Sequence, residues 1–291
     1  MALKGRTLSE STKTANKRLL DIQRECEQEW EVAKYENSLV AFLDIQNIKN
    51  HLNSSSFTDA QIPYRKFESI VRCLCEQSLY ADLAEKYPDH PFSSIQYFFL
   101  SDSVVIIVPF QRNALVCLSM VITRFAYSLF ESTGEPILFI RGGIAIGDIF
   151  AKDDIIFGPA LVSAYEREKN SRFFRVGISR DDFSLAKTML DDHSIVNEIF
   201  REHEEDILYM DFFYGYVMYC TNRADTYPSE IRTKIECIKR LKSKIEDEII
   251  NAQKCPRTKE SKKLLQKYLH AQTCLKDAIA FWQSDYEWLE Q

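Results

Sequence analysis

A carboxylate at the end of an apolar run is costly unless something neutralises it, and this sequence has two. Asp44 ends the apolar part of Ser38 to Ile45, and Asp102 sits in Ser101-Asp102-Ser103 between the apolar runs Ile95 to Leu100 and Val104 to Val108. Two facing carboxylates cost more than either alone, and a cation between them removes the repulsion. Oxygen donors with open positions suit Mg²⁺ or Mn²⁺, which usually take one or two carboxylates together with substrate phosphates. Taken singly, either aspartate reads as a turn or strand-end cap; the two together favour a metal. Arg141, Lys169, Arg172 and Arg175 are candidate phosphate or interface cations, each more simply read as structural or solvated.

The elements that must position these residues follow from periodicity. Ser38 to Ile45 is β-branched and aromatic, nearly all apolar, and stops at Gln46-Asn47, as a buried strand does. Tyr64 to Tyr87 has apolar residues at helical spacing, and Pro88 and Pro91 end it. The runs around Asp102 form a hairpin. Asn113 to Phe130 is an amphipathic helix, Pro136 to Phe150 a strand with glycines where a backbone or ligand comes close, and Gly158-Pro159 opens a helix to Asn170. Phe173 to Ser179 is a strand, two short helices follow, and Ile207 to Met218 supplies a last strand. This β-α-β-β-α-β order describes an α+β, ferredoxin-like split βαβ sheet with helices on one face, and it sets Asp44 beside Asp102.

Three segments are expected: 1–35, a polar stretch with a helix over Lys17 to Lys34; 36–220, the α+β domain; and 221–291, a C-terminal helical pair. The pair is read from Ile231, Ile235, Ile238, Leu241, Ile245 and Ile249, then Pro256, then Leu264 to Trp288. The isoleucine stripe is most simply a packing face, with an extended dimer interface as the alternative.

The residues resemble a known family, the class III nucleotidyl cyclases, over about Leu39 to Ser179. Ala41-Phe42-Leu43-Asp44-Ile45 is similar to that family's first metal-binding strand and Ser101-Asp102-Ser103 to its second metal-binding hairpin. Arg141-Gly142-Gly143-Ile144-Ala145-Ile146-Gly147-Asp148 is similar to its glycine-containing strand, and Phe157-Gly158-Pro159-Ala160-Leu161 with Ala164-Tyr165-Glu166 to the helix that closes the site. The wording is nearest to the bacterial pyrimidine cyclases of Pycsar antiphage defence.

The resemblance implies a homodimer with active sites at its interface. It would convert UTP, or alternatively CTP, to a 3′,5′-cyclic nucleotide and pyrophosphate. Two Mg²⁺ or Mn²⁺ ions per site would be held by Asp44, Asp102 and the Ile45 carbonyl, one activating the ribose 3′-hydroxyl and one stabilising the leaving pyrophosphate. The turn Gln46-Asn47-Ile48-Lys49 would offer backbone N–H groups and a lysine charge to phosphate. Phe98, Ser103, Arg141 and Glu166 complete the nucleotide-binding candidates. The product would serve a separate cyclic-nucleotide-sensing effector protein.

Departures from the family pattern qualify this. Asn47 and Ile48 replace Gly-Phe after the first motif, although Asn tolerates positive φ. Val162 and Glu166 stand where purine cyclases carry Asn and Arg on the closing helix, and Phe98 and Ile155 replace the polar pair that reads adenine.

Composition narrows the alternatives. The chain has 291 residues, 45% hydrophobic and 27% charged, with a formal net charge of −6. That excludes a wholly disordered or collagen-like chain and argues against nucleic acid as partner. Ala114 to Ile122 is far shorter than the ~20 residues of a membrane-spanning helix. The N-terminus has no apolar signal region, and the eight cysteines form no CxxC pair. A cytoplasmic protein with reduced, mostly buried thiols is expected. Arg141-Gly142-Gly143 with Gly147 has the wrong spacing for a dinucleotide loop. Two rival functions stay open: a catalytically silent cyclase-like dimer that binds a nucleotide or a partner, and a phosphotransferase on the same scaffold.

Overall fold

The computed structural model describes residues 17–18, 35–46, 88–131, 139–152, 155–192, 194–204, 206–215, 217, 228–254 and 258–283. The helix expected over Tyr64 to Tyr87 and most of that over Lys17 to Lys34 lie outside these residues, as do Asn47, Ile48 and Lys49.

The sheet forms around β1 (Glu36–Gln46), whose even and odd residues are both buried. Leu39, Ala41, Leu43 and Ile45 join one apolar cluster, while Val40 and Phe42 join another. A strand covered on both faces needs an apolar residue at nearly every position, which is why this run lacks polar alternation.

β1 pairs antiparallel with β3 (Ser103–Pro109) on one side and β4 (Phe139–Lys152) on the other. β2 (Gln96–Leu100) forms a hairpin with β3, which thereby inserts between β2 and β1. That is the split βαβ arrangement, and the class is α+β as expected. β4 continues into β6 (Val176–Ser179) by parallel pairing, then into β8 (Ile207–Met210) and the edge strand β7 (Phe200–Glu204). β5 (Ile155–Phe157) folds back on the end of β4.

The helices do not all share one face. α1 (Ala114–Glu131) packs with the larger cluster through residues such as Leu118, Ile122 and Phe125. α2 (Pro159–Asn170) instead puts Ala160 and Ala164 against Val40, Val105, Ala145 and Ile149 on the opposite face. The expectation of a one-sided helical layer is corrected here, because the alanines of α2 fit a sheet surface whose small residues let a helix lie close. Gly158, with φ 151°, starts α2 from a backbone conformation that other residues rarely adopt, and a Cβ there would stand 2.6 Å from the Asp148 carbonyl.

The strand expected over Ile207 to Met218 ends at Met210. The Asp211 carboxylate accepts the Tyr214 backbone N–H at 3.0 Å and caps a helical turn over residues 212–215, a local bond that competes with the sheet ladder. The strand read from Phe173 begins only at Val176. β7, sequence Phe-Arg-Glu-His-Glu, escapes recognition because a charged edge strand has no apolar alternation.

Two short helices, α3 (Arg180–Lys187) and α4 (Ser194–Ile199), precede β7, and the last described elements are α5 (Pro228–Lys254) and α6 (Lys259–Gln283). Ile238, Leu241, Ile245 and Ile249 of α5 and Tyr268, Ala271, Leu275 and Ala278 of α6 are buried in the same cluster as α1 and the sheet. The stripe from Ile238 to Ile249 thus packs within the chain, while the side chains of Ile231 and Ile235 lie outside the description. Tyr268 packs edge-on against both Phe139 and Phe174, rings that stack on each other at 4.4 Å between centroids. Among the described residues no helix is long and apolar enough to cross a membrane. Cys117 is buried, Cys237 and Cys274 are half-buried, and all three are thiols; burial pushes Cys117 up to about 12.

Candidate functional site

Register fixes the site. Ser103, Asp44 and Arg141 occupy one cross-strand row, and Phe98, Val105, Phe42 and Gly143 the next row along that share a face with them. Ser101, at φ 62°, turns the β2–β3 hairpin so that the Asp102 carbonyl accepts the Ile45 backbone N–H at 2.9 Å. The turn carrying Asp102 is therefore tied to the residue after Asp44, the juxtaposition expected from the strand order.

Asp44 is already compensated within the chain. Its Oδ2 accepts from Arg141 Nη2 at 3.2 Å and from the Gln46 side-chain amide. Arg141 reaches onward to α2, where its Nε donates to Glu168 Oε1 at 2.6 Å. Glu168 is only 5% exposed, and burial raises its carboxyl pKa, with the Arg141 charge opposing that rise. A fourth charge comes from the other end of the chain. Lys267 of α6 donates to Gln46 Oε1 at 3.1 Å, and burial lowers its pKa.

The helix that supplies Glu168 is held close to the sheet. Arg167 donates to the Ile144 carbonyl and pairs with Asp182 at 2.7 Å, and the Tyr165 ring stands edge-on to Phe42 at 5.3 Å. Phe98 is half-buried against the Val40 and Val105 cluster. Glu166 and Val162 are exposed on α2, and the acid that meets Arg141 is Glu168, two residues beyond Glu166. Of the other cations considered, Lys169 and Arg172 are exposed. Arg175 is 4% exposed with its guanidinium over the Tyr209 ring, a packing role.

Among the described residues no group of three or more His, Cys, Asp or Glu side chains is placed to hold a metal. Asp44 and Asp102 on adjacent strand ends are nonetheless hard oxygen donors of the number Mg²⁺ takes when phosphate oxygens complete its shell, so the donor set fits a cation shared with a substrate.

Among the solved structures that the chain resembles, three illustrate the likeness. An adenylate/guanylate cyclase/hydrolase from Silicibacter pomeroyi is 18% identical, with 61% of this chain and 98% of that one covered and a TM-score of 0.40. The catalytic core of a rhodopsin-guanylyl cyclase with converted specificity, in complex with ATPαS, is 18% identical over 61% of this chain and 97% of that one, at a TM-score of 0.39. A class III adenylyl cyclase-like ATP-binding protein from Pseudomonas aeruginosa is 12% identical over 57% of this chain and 37% of its own length, at a TM-score of 0.42. No protein-family model and no curated protein sequence matches.

Glu168 and Lys267 were not legible as site residues. For Glu168 the signal was helical spacing: it falls four residues after Ala164, which is buried against the sheet, so it shares the inward face of α2. The pairing has a measurable consequence. Arg141→Met leaves Glu168 buried without its guanidinium and is expected to cost about 3 kcal/mol near neutral pH. A carboxyl whose folded pKa is raised binds its proton more tightly in the folded state, so its contribution to stability falls as pH rises from the ordinary glutamate range through the raised value. Urea denaturation should therefore find a larger Arg141→Met penalty at pH 8 than at pH 5. An equal penalty at both would mean that Glu168 is not the group left stranded.

Proposed function

We propose that this chain is a nucleotide cyclase of the class III type that converts UTP, or alternatively CTP, to the 3′,5′-cyclic nucleotide and pyrophosphate. The observation that carries the reading is the placement of Asp44 against the hairpin turn of Asp102, with Arg141 at hydrogen-bond distance. The order of the four motifs supports it. Two Mg²⁺ or Mn²⁺ ions on Asp44, Asp102 and the Ile45 carbonyl would supply charge neutralisation of the triphosphate and activation of the ribose 3′-hydroxyl.

The chain's own groups do the rest. Gln46 and Arg141 orient the Asp44 carboxylate, Glu168 orients Arg141, and Phe98, Phe42 and Tyr165 give an aromatic and apolar surface beside it. Ser103 and the segment Gln46-Asn47-Ile48-Lys49, of which only Gln46 is described, would meet the nucleotide. A homodimer would complete the site, and the product would act on a separate effector in antiphage defence. The site's lack of the polar pair that reads adenine favours a pyrimidine.

A second reading, a silent nucleotide-binding dimer, is favoured by one observation: the Asp44 carboxylate already pairs with Arg141, which also holds Glu168. Incubation with ATP, GTP, CTP and UTP separately, each with Mn²⁺ or Mg²⁺, and mass spectrometry of the products separates the two. Cyclic UMP or cyclic CMP with pyrophosphate is expected. A nucleotide-dependent thermal shift with no product from any substrate would favour the silent module.

A further inference from the structure

The C-terminal helical pair delivers a charge to the site as well as apolar surface to the core. Arg141 is engaged by Asp44 and Glu168 together. Lys267 is placed differently. Among the described residues its ammonium makes one hydrogen bond, to the neutral Gln46 amide, and no ion pair; it lies 5.4 Å from the centroid of the Phe174 ring. An ammonium has three donors. Half-burying it costs hydration, and Arg141 adds to that cost while Asp44 and Glu168 offset it. Tyr268, next in sequence, is buried edge-on against Phe139 and Phe174, which anchors the helix backbone that carries Lys267 beside the site.

We propose that Lys267 is a binding residue of this site: it opposes a divalent cation at Asp44 when no nucleotide is present and favours the polyphosphate of an incoming nucleotide, so that metal and nucleotide bind together. The inference rests on reading Asp44 as the metal-side carboxylate. A dication arriving alone at Asp44 meets two nearby positive charges, Arg141 and Lys267. A polyphosphate brings several negative charges, turns that repulsion into attraction, and offers acceptors to the lysine's other donors.

The test compares the full chain with Lys267→Met, which keeps the aliphatic stem over Phe174, and with Lys263→Met, an exposed charge one turn away. Calorimetry would follow Mn²⁺ alone and, separately, inorganic tripolyphosphate in EDTA. Lys267→Met should tighten Mn²⁺ binding about threefold to tenfold and weaken tripolyphosphate binding about tenfold, opposite shifts that loss of packing does not produce. Lys267→Arg should restore both, and Lys263→Met should move neither by more than about twofold. Wild-type protein that binds both probes, with Lys267→Met leaving both affinities unchanged or moving them in the same direction, overturns the role of Lys267 alone. Wild-type protein that binds neither probe overturns the reading of the site as well.

Discussion

Asp44→Ala is expected to lower cyclic nucleotide formation by at least about a thousandfold while moving the melting temperature by only a few degrees. The two effects separate because of how the carboxylate is held. Its side chain is 17% exposed near the end of β1, and Arg141 keeps Glu168 as a partner when Asp44 is removed, so the guanidinium is not stranded. The reaction, in contrast, loses an oxygen donor, and the other carboxylate in contact with Arg141, Glu168, is held on α2 and does not replace it. Asp102→Ala should act in the same way, with the hairpin retained because the Ile45 N–H bond is to the Asp102 backbone. Product quantified by mass spectrometry beside thermal denaturation checks both variants. Turnover surviving in either one would remove that aspartate from the metal site, and a collapse in stability would mean that the lost activity says nothing about chemistry.

What was legible in the sequence follows from what burial does to residue choice. β1, β3 and β4 read as near-continuous apolar runs because the sheet is covered on both faces, and an aspartate inside such a run is conspicuous. The topology then brought Asp44 to the Asp102 turn through one inserted hairpin. The opposite limit is Lys267, which belongs to a helix rich in lysines and differs from Lys262 and Lys263 only in flanking the buried Tyr268. Its contact with Gln46 is purely tertiary, so no local pattern marks it. Glu168 is intermediate: helical spacing places it on the inward face of α2, but periodicity alone does not say which face of the sheet that helix covers. Glu166, singled out by motif, points to the exposed side of the helix in the same chain. The burial of Arg175 against Tyr209 likewise depends on β6 pairing with β8, a contact made across two intervening helices.

Gly143→Ala is expected to be the most damaging small substitution in the sheet. A Cβ at Gly143 would stand 2.3 Å from the Ala164 carbonyl oxygen, 2.5 Å from Arg167 Cβ and 2.9 Å from the Glu168 backbone nitrogen, all on α2. Two of these are backbone atoms, so no rotamer change relieves the overlap and the helix itself must lift from β4. Lifting it strips Ala160 and Ala164 from the sheet, weakens the Arg167 bond to the Ile144 carbonyl, and carries Glu168 away from Arg141. The cost should be about 3 kcal/mol or more, seen as a fall of about 6–12 °C in melting temperature. Gly177→Ala makes the comparison, because its Cβ would meet only the side chains of Tyr209 and Ile207, at 3.1 and 3.2 Å, which can yield by a few tenths of an ångström. Denaturation of the two variants side by side, with activity assayed well below both transitions, should show Gly143→Ala less stable and poorly active and Gly177→Ala close to wild type in both. A Gly143→Ala protein as stable as wild type would mean that α2 does not lie on β4, and the placement of Glu168 beside Arg141 would fall with it.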